Sequence, residues 1–197
     1  MTNTVESRVL RNIKSTKRGT TFFVKNFLFT GNAKAVNKAM ELLVGKNELA
    51  RVTTGIYTRS KENRLLGFIT PTVEEIAIAI AERDKARIVP TGSYALNALG
   101  LSTQVPLKAV YLTDGHARKI TVGKRTIHFK RATPKNLTAK GSISKLVIQA
   151  LKAIGKDKVS IDEERKILEL LRKEDREYLE HDILLAPEWI RKIMRRA

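Results

Sequence analysis

Gly92-Ser93 could form the glycine-serine turn of a nucleotidyltransferase. That chemistry needs two carboxylates close by to hold divalent metal ions. The first acidic residue after Ser93 is Asp114, which stands alone, and the next is Asp157, so the pair is missing. His116, His128 and His181 are scattered and fit no HExxH spacing, and the chain has no cysteine to share a metal with them. Asp114-Gly115-His116 reads as a turn. The glycines match neither a phosphate-binding loop nor a dinucleotide fingerprint. Asp162-Glu163-Glu164 and Glu174-Asp175 read as solvated helix ends, where basic neighbours such as Lys166 give ordinary surface pairs. The expectation is therefore no catalytic residue, no metal site, no cofactor, and a protein that is not an enzyme.

Recognition chemistry is better represented. Lys34, Asn37 and Lys38 share one face of a helical stretch whose other face carries Val36, Ala39, Met40 and Leu43 at i, i+3, i+4, i+7. A helix that enters the major groove needs this division, an apolar back for docking and a polar front for bases and phosphates. Asparagine can pair with adenine, and lysine can reach guanine or phosphate. An ordinary surface helix presents the same face, so the neighbouring elements carry the distinction. Asn32 precedes the helix as an N-cap, and Gly45 follows at the position of a left-handed C′ residue. Arg51, Thr53, Thr54 and Arg59 surround a hairpin turn and could contact backbone or minor groove. Tyr57 reads as core. The aromatic residues lie within apolar runs rather than among basic ones, which argues against base stacking on single strands.

The elements that must position these residues follow from periodicity. Val5, Val9 and Ile13 mark a first helix, with Asn3 and Glu6 as a capping box. Phe22 to Phe29 is β-prone but in context suggests a short helix around Val24 to Leu28. Helix, helix, helix, hairpin within about 60 residues is the winged helix-turn-helix order. Residues 60–70 read as a connecting loop, and Pro71 as the boundary between domains 1–70 and 71–197. Thr72 caps a helix carrying Val73, Ile76, Ala77, Ile80 and Ala81. Strands follow at Ala86–Val89, Ala109–Leu112, Lys119–Val122 and Thr126–Phe129, with turns at Pro90-Thr91-Gly92 and Gly123-Lys124. A short helix spans Ser93–Leu99. Four helices close the chain at Ile143–Ile154, Ile161–Leu171, Lys173–Leu185 and Pro187–Arg195, the last with proline in its first turn. The class is α+β: a winged helix-turn-helix, then a small sheet with C-terminal helices.

Charge points the same way. The net charge is +18 over 197 residues, an excess that favours polyanions and steers them in. It is unevenly spread: +9 over residues 1–70 (13 basic, 4 acidic), +7 over 71–140 (12 and 5), and +2 over 141–197 (13 and 11). Arg118, Lys119, Lys124, Arg125, Lys130, Arg131 and Lys135 form a dense basic run, either a second nucleic-acid contact or a solvated strand face. No apolar run reaches the length of a membrane span. Met1 to Arg11 lacks the apolar stretch of a signal peptide. Together with the lack of cysteine, this suggests a cytoplasmic protein.

The stretch RGTTFFVKNFLFTGNAKAVNKAMELLVGKNELARVTTGIYT is similar to the winged helix of AbiEi-like antitoxins of bacterial type IV toxin–antitoxin systems. PTGSYALNALGLSTQVPLKAVYLTDG, ITVGKRTIHFKRATPKNL and LVIQAL resemble the second domain of proteins grouped with them. The resemblance implies a transcriptional autorepressor that binds inverted repeats of double-stranded DNA in its own promoter. Asn32 to Val44 would be its recognition helix and Leu49 to Tyr57 its wing. It also implies antitoxicity in the second domain and pairing with a nucleotidyltransferase-like toxin, direct contact not being required. Two rival readings stand beside it: an antitoxin working by direct contact with its toxin, and an RNA-binding protein.

Overall fold

A computed structural model describes residues 4–59, 61–63, 67–133 and 137–197, with side chains left aside at 61–63 and 67–69. The protein is α+β and divides into two compact units, Met1–Ala79 and Ile80–Ala197.

The first unit opens with α1 (Val5–Lys14), capped by Thr4, whose Oγ1 accepts from the Ser7 N–H at 3.2 Å. The expected partner Asn3 lies outside the described residues, and Glu6 pairs instead with Lys46. The aromatic run splits in two. Thr21–Phe23 is a strand, β1, and Val24–Thr30 is a 3-10 helix. The switch is local: Asn26 Oδ1 accepts from the Phe23 N–H at 2.7 Å and turns the chain out of the strand. Gly31 follows, and a Cβ there would stand 2.9 Å from a methyl of Val5, so only glycine lets α1 approach this closely.

Helix α2 (Ala33–Gly45) starts at Asn32, whose Oδ1 accepts from the Ala35 N–H at 2.9 Å. Gly45, expected beyond the helix, is its last residue. The left-handed position belongs to Asn47, at φ 58°, a residue type that tolerates it. Glu48 and Leu49 N–H groups both return to the Leu43 carbonyl. Strands β2 (Ala50–Thr53) and β3 (Ile56–Thr58) form a hairpin, and β1 pairs on the far side of β3, in the order β1-β3-β2, all antiparallel. Helices and sheet close on a core of Val9, Ile13, Phe22, Phe27, Val36, Met40, Leu43, Leu49 and Tyr57. Each large apolar side chain buried there contributes about 1.5–3 kcal/mol. The expected connecting loop of residues 60–70, which lies within this unit, carries a strand pair, β4 (Lys61–Asn63) with β5 (Gly67–Ile69). Next comes α3 (Val73–Asp84), opened by reciprocal hydrogen bonds between Thr72 and Glu75.

In the second unit, β6 (Ile88–Thr91), β7 (Lys108–Thr113), β8 (Arg118–Val122) and β9 (Arg125–Arg131) form one sheet, ordered β6-β7-β9-β8. Strands β7 and β9 run parallel, and the other pairs are antiparallel. Pro90 and Thr91, expected in a turn, belong to β6. Their place on an edge strand explains why a proline is tolerated there. Helix α4 (Ser93–Ala98) follows at once and sets Tyr94 against Tyr111, which in turn meets Phe129, at ring separations of 5.5 and 5.9 Å. Helices α5 (Ser144–Ile154), α6 (Ile161–Leu171), α7 (Arg176–Leu185) and α8 (Glu188–Met194) share a core of Val147, Leu151, Ile167, Leu171, Ile190 and Met194. Helix α7 begins three residues later than expected, where Asp175 caps it. Pro187 sits at the N-cap of α8, not inside its first turn. Among the described residues no helix is long and apolar enough to cross a membrane.

Candidate nucleic-acid interface

On α2 the sequence-derived face is exposed: Asn32, Lys34, Asn37 and Lys38 all point to solvent, opposite the buried Val36, Ala39, Met40 and Leu43. They are not equally free. Asn32 spends its Oδ1 on the N-cap. Asn37 donates from Nδ2 to the Ala33 carbonyl at 2.9 Å, which leaves its Oδ1 facing outward as an acceptor. Lys34 and Lys38 lie one turn apart on the same face and are the unencumbered cations there. In the β2–β3 hairpin, Arg51 and Thr54 are exposed, Thr53 is half-buried, and Gly55 makes the turn at φ 72°.

Arg59 does other work. Its Nη1 donates to the carbonyls of Lys14 and Thr16 at 3.0 and 2.7 Å, and so closes the C-terminal end of α1. Those carbonyls have no partner within the helix, and a cation there also complements the helix dipole. The guanidinium that sequence reasoning assigned to a nucleic acid is thus occupied by the protein.

The second basic run is likewise sorted by the fold. Arg118 is half-buried, paired with Asp84, and lies over the Phe129 ring at 5.4 Å. It fastens β8 to the end of α3. Lys124 and Arg125 are exposed at the tip of the β8–β9 hairpin. Arg131 lines a small cavity of about 230 Å³ with Asp114, Gly115 and His116. Asp114 itself accepts from the Arg87 backbone and from its Nε, both at 2.8 Å, and the Arg87 guanidinium holds its carboxyl below the ordinary range. Lys135 lies outside the described residues. Lys119 and Lys130 emerge on the face of the sheet that carries His128, where Lys108 joins them. Sequence reasoning missed Lys108 because only the parallel pairing of β7 with β9 brings it there. Strand alternation was the available signal, but it says nothing about which strands are neighbours.

One grouping of catalytic residue types was also missed. Ser144, Asp182 and His181 meet: Ser144 Oγ lies 2.5 Å from Asp182 Oδ2, and His181 Nδ1 lies 2.7 Å from Asp182 Oδ1. A hydrolytic triad needs histidine between serine and carboxylate. Here the carboxylate is in the middle, and both Ser144 and Asp182 are fully buried. Asp182 also accepts the N–H groups of Lys140 and Gly141, and Glu174 accepts those of Ile143 and Ser144. The cluster therefore satisfies the amino-terminal amides of α5 and is structural. Among the described residues no group of His, Asp and Glu is placed to hold a metal ion.

A family model described as "Family of unknown function (DUF6088)" matches residues 8–179. No curated protein and no solved structure matches the chain.

Proposed function

The chain belongs to the DUF6088 family, and we propose that this member is a cytoplasmic DNA-binding repressor that reads duplex DNA with its first unit. One observation carries the reading. Residues 5–58 of the unit run helix, strand, short helix, helix, strand, strand, with the first strand added to the far edge of the hairpin. This order supports a winged helix-turn-helix reading, in which α2 would be the helix that enters the major groove. Its outward face is Lys34, Asn37, Lys38 and, at its carboxyl-terminal side, Glu41. Arg51 and Thr54 would meet the flanking phosphates from the wing, and the positive charge of the unit adds salt-dependent affinity. Thr53 and Asn32 take secondary roles through what they leave exposed, and Arg59, held on α1, takes none. The resemblance of the second unit's strings to antitoxin-associated proteins supports a further assignment: repression of its own promoter, and an antitoxin role toward a nucleotidyltransferase-like toxin.

The decisive experiment is a gel shift on the upstream promoter duplex at fixed salt. Replacing Lys34, Asn37 and Lys38 together by Ala should abolish specific binding and leave the circular dichroism spectrum unchanged. Specific binding that persists in the folded triple variant would sink the assignment.

A further inference from the structure

The face of the four-stranded sheet that carries His128 is covered at its β6 edge, where Val89 is buried, and over β7, β9 and β8 it presents three lysines that the DNA-binding reading does not use. Lys119 of β8 stands opposite His128 of β9. Lys130 lies two residues further along β9, on the same face. Lys108 of β7 stands opposite Thr126, which is two residues before His128. All three lysines are exposed, whereas Val110, Leu112 and His128 between them are half-buried. None of the four strands contains an acidic residue. The three like charges share one sheet face, none directly opposite another, and nothing on the strands offsets them. The protein therefore holds a cationic rim around an apolar and aromatic centre.

We propose that this face binds single-stranded nucleic acid, with the three lysines on backbone phosphates and unpaired bases laid over His128, Val110 and Leu112. A single strand offers both chemistries at once, anionic backbone and exposed base faces. A duplex keeps its base faces stacked inside and would leave the apolar centre uncovered. The face lies in the second unit, on elements separate from α2, so the proposal stands or falls independently of the winged-helix reading. It also departs from the sequence expectation that base stacking is absent. That expectation weighed Phe, Tyr and Trp, and the ring on this face is an imidazole.

His128 adds a proton linkage. Partial burial first, then the fields of Lys119, Lys108 and Lys130, hold its imidazole below the ordinary range. Its Nδ1 is shielded and has no hydrogen-bond partner. Among the described residues the charged groups that act on it are those three lysines, one from each of β8, β7 and β9, and on this face β6 places Val89 and Thr91. Phosphates seated on the lysines reverse the local field and favour imidazolium, so binding takes up a proton. Affinity should rise as pH falls from about 8 to about 6, a window in which lysines stay charged.

The test is fluorescence anisotropy with the full chain and labelled oligouridylate, oligothymidylate and a random-sequence duplex over a salt series. The parent should bind both single strands. Replacing Lys108, Lys119 and Lys130 by Ala should lower the slope of log affinity against log salt for single strands by about 2, at about 0.7 for each phosphate no longer neutralised. Replacing the exposed Lys156, Lys158 and Lys173 removes the same charge and should leave the slope near the parent's. His128→Asn should abolish the gain in affinity at lower pH. Equal binding of the two single strands would assign recognition to phosphates and base faces, and a preference for oligouridylate would add the 2′-hydroxyl; both support the proposal. Equal slopes in the two lysine variants would overturn it. So would a face variant that loses duplex binding but keeps single strands, or a parent that binds polyglutamate and not oligonucleotides. Circular dichroism of each variant checks that it is folded.

Discussion

Arg51, Arg59, Arg83 and Arg118 carry the same guanidinium, and their surroundings give it different uses. Arg51 stands exposed in the β2–β3 hairpin of the first unit, while Arg59 closes α1. Arg83 and Arg118 converge on Asp84. A rigid fork of donors settles on whichever carbonyls or carboxylates the backbone brings near, and that is a tertiary matter. At Asp84 the consequence can be measured. The hydrogen bond from Arg83, opposed by partial burial and reinforced by Arg118, lowers its pKa from 3.8 to about 2. A carboxyl depressed on folding stabilises the protein above its unfolded pKa, and that contribution is lost as pH falls through the folded value. With the side chain only 20% exposed, the shift corresponds to about 2 kcal/mol. Asp84→Asn should lose about this much at pH 7, and its urea midpoint should decline less than the parent's between pH 4 and pH 2. Identical declines in the two proteins would show that the pairs do not couple to folding.

At the scale of elements, α5 shows how a helix start can depend on residues far away in sequence. Its first amides, those of Ile143 and Ser144, donate to Glu174, and Asp182 accepts from Lys140 and Gly141 in the turn before it and from the Ser144 hydroxyl, all more than 25 positions away, and no side-chain cap precedes the helix. Gly141 lies inside this cradle, where a Cβ would collide with Ser144 Oγ and the Glu174 carboxylate. Asp182→Ala should cost about 3 kcal/mol, because it strands the buried donors of Gly141 and Ser144. Gly141→Ala should weaken the same joint by pushing Glu174 away. Chemical denaturation of both variants reads the loss. A midpoint unchanged in Asp182→Ala would mean that the cradle contributes nothing. Other helices carry their own signals. Ser160 and Glu163 form a capping box, and α6 spans Ile161–Leu171, the range that periodicity predicts. Local caps are readable because both partners lie within one turn, whereas the cap of α5 is assembled only when α7 packs.

For the molecule as a whole, the two compact units meet in sequence between Ala79 and Ile80, inside α3, eight residues past Pro71. The five apolar residues of its stripe are all buried, Val73, Ile76 and Ala77 in the first unit, Ile80 and Ala81 in the second. A cut at residue 70 therefore removes buried apolar surface from the first unit. A domain of about 60–70 residues is already marginal, burying only about 60% of its unfolded-chain surface. Residues 1–84 should unfold more cooperatively in urea than residues 1–70, and should bind the promoter duplex where the shorter piece binds weakly. Residues 71–197 should keep α3 whole, retain single-strand binding and, if antitoxicity resides there, rescue growth without repressing the promoter. Promoter repression by 71–197, or rescue by 1–84, would reverse this division of labour.

Much of the chain was legible without coordinates because its signals are short-range. The stripe and Asn32 cap of α2, the Gly55 hairpin, the Thr72 start of α3 and the bounds of α6 depend on neighbours within a few residues. The basic excess is a sum over residue types and needs no fold. Three things waited for the tertiary structure. The Phe22–Phe29 run is ambiguous between strand and helix until β1 finds β3 as a partner. The fate of each cation, Arg59 on α1, Arg118 on Asp84 and Lys108 beside His128, depends on which elements become neighbours. The sheet order β6-β7-β9-β8, with its one parallel pair, decides which residues share a face. Strand alternation along the sequence tells inward from outward, but pairing between distant strands is selected by burial of the whole, and only the folded chain records it.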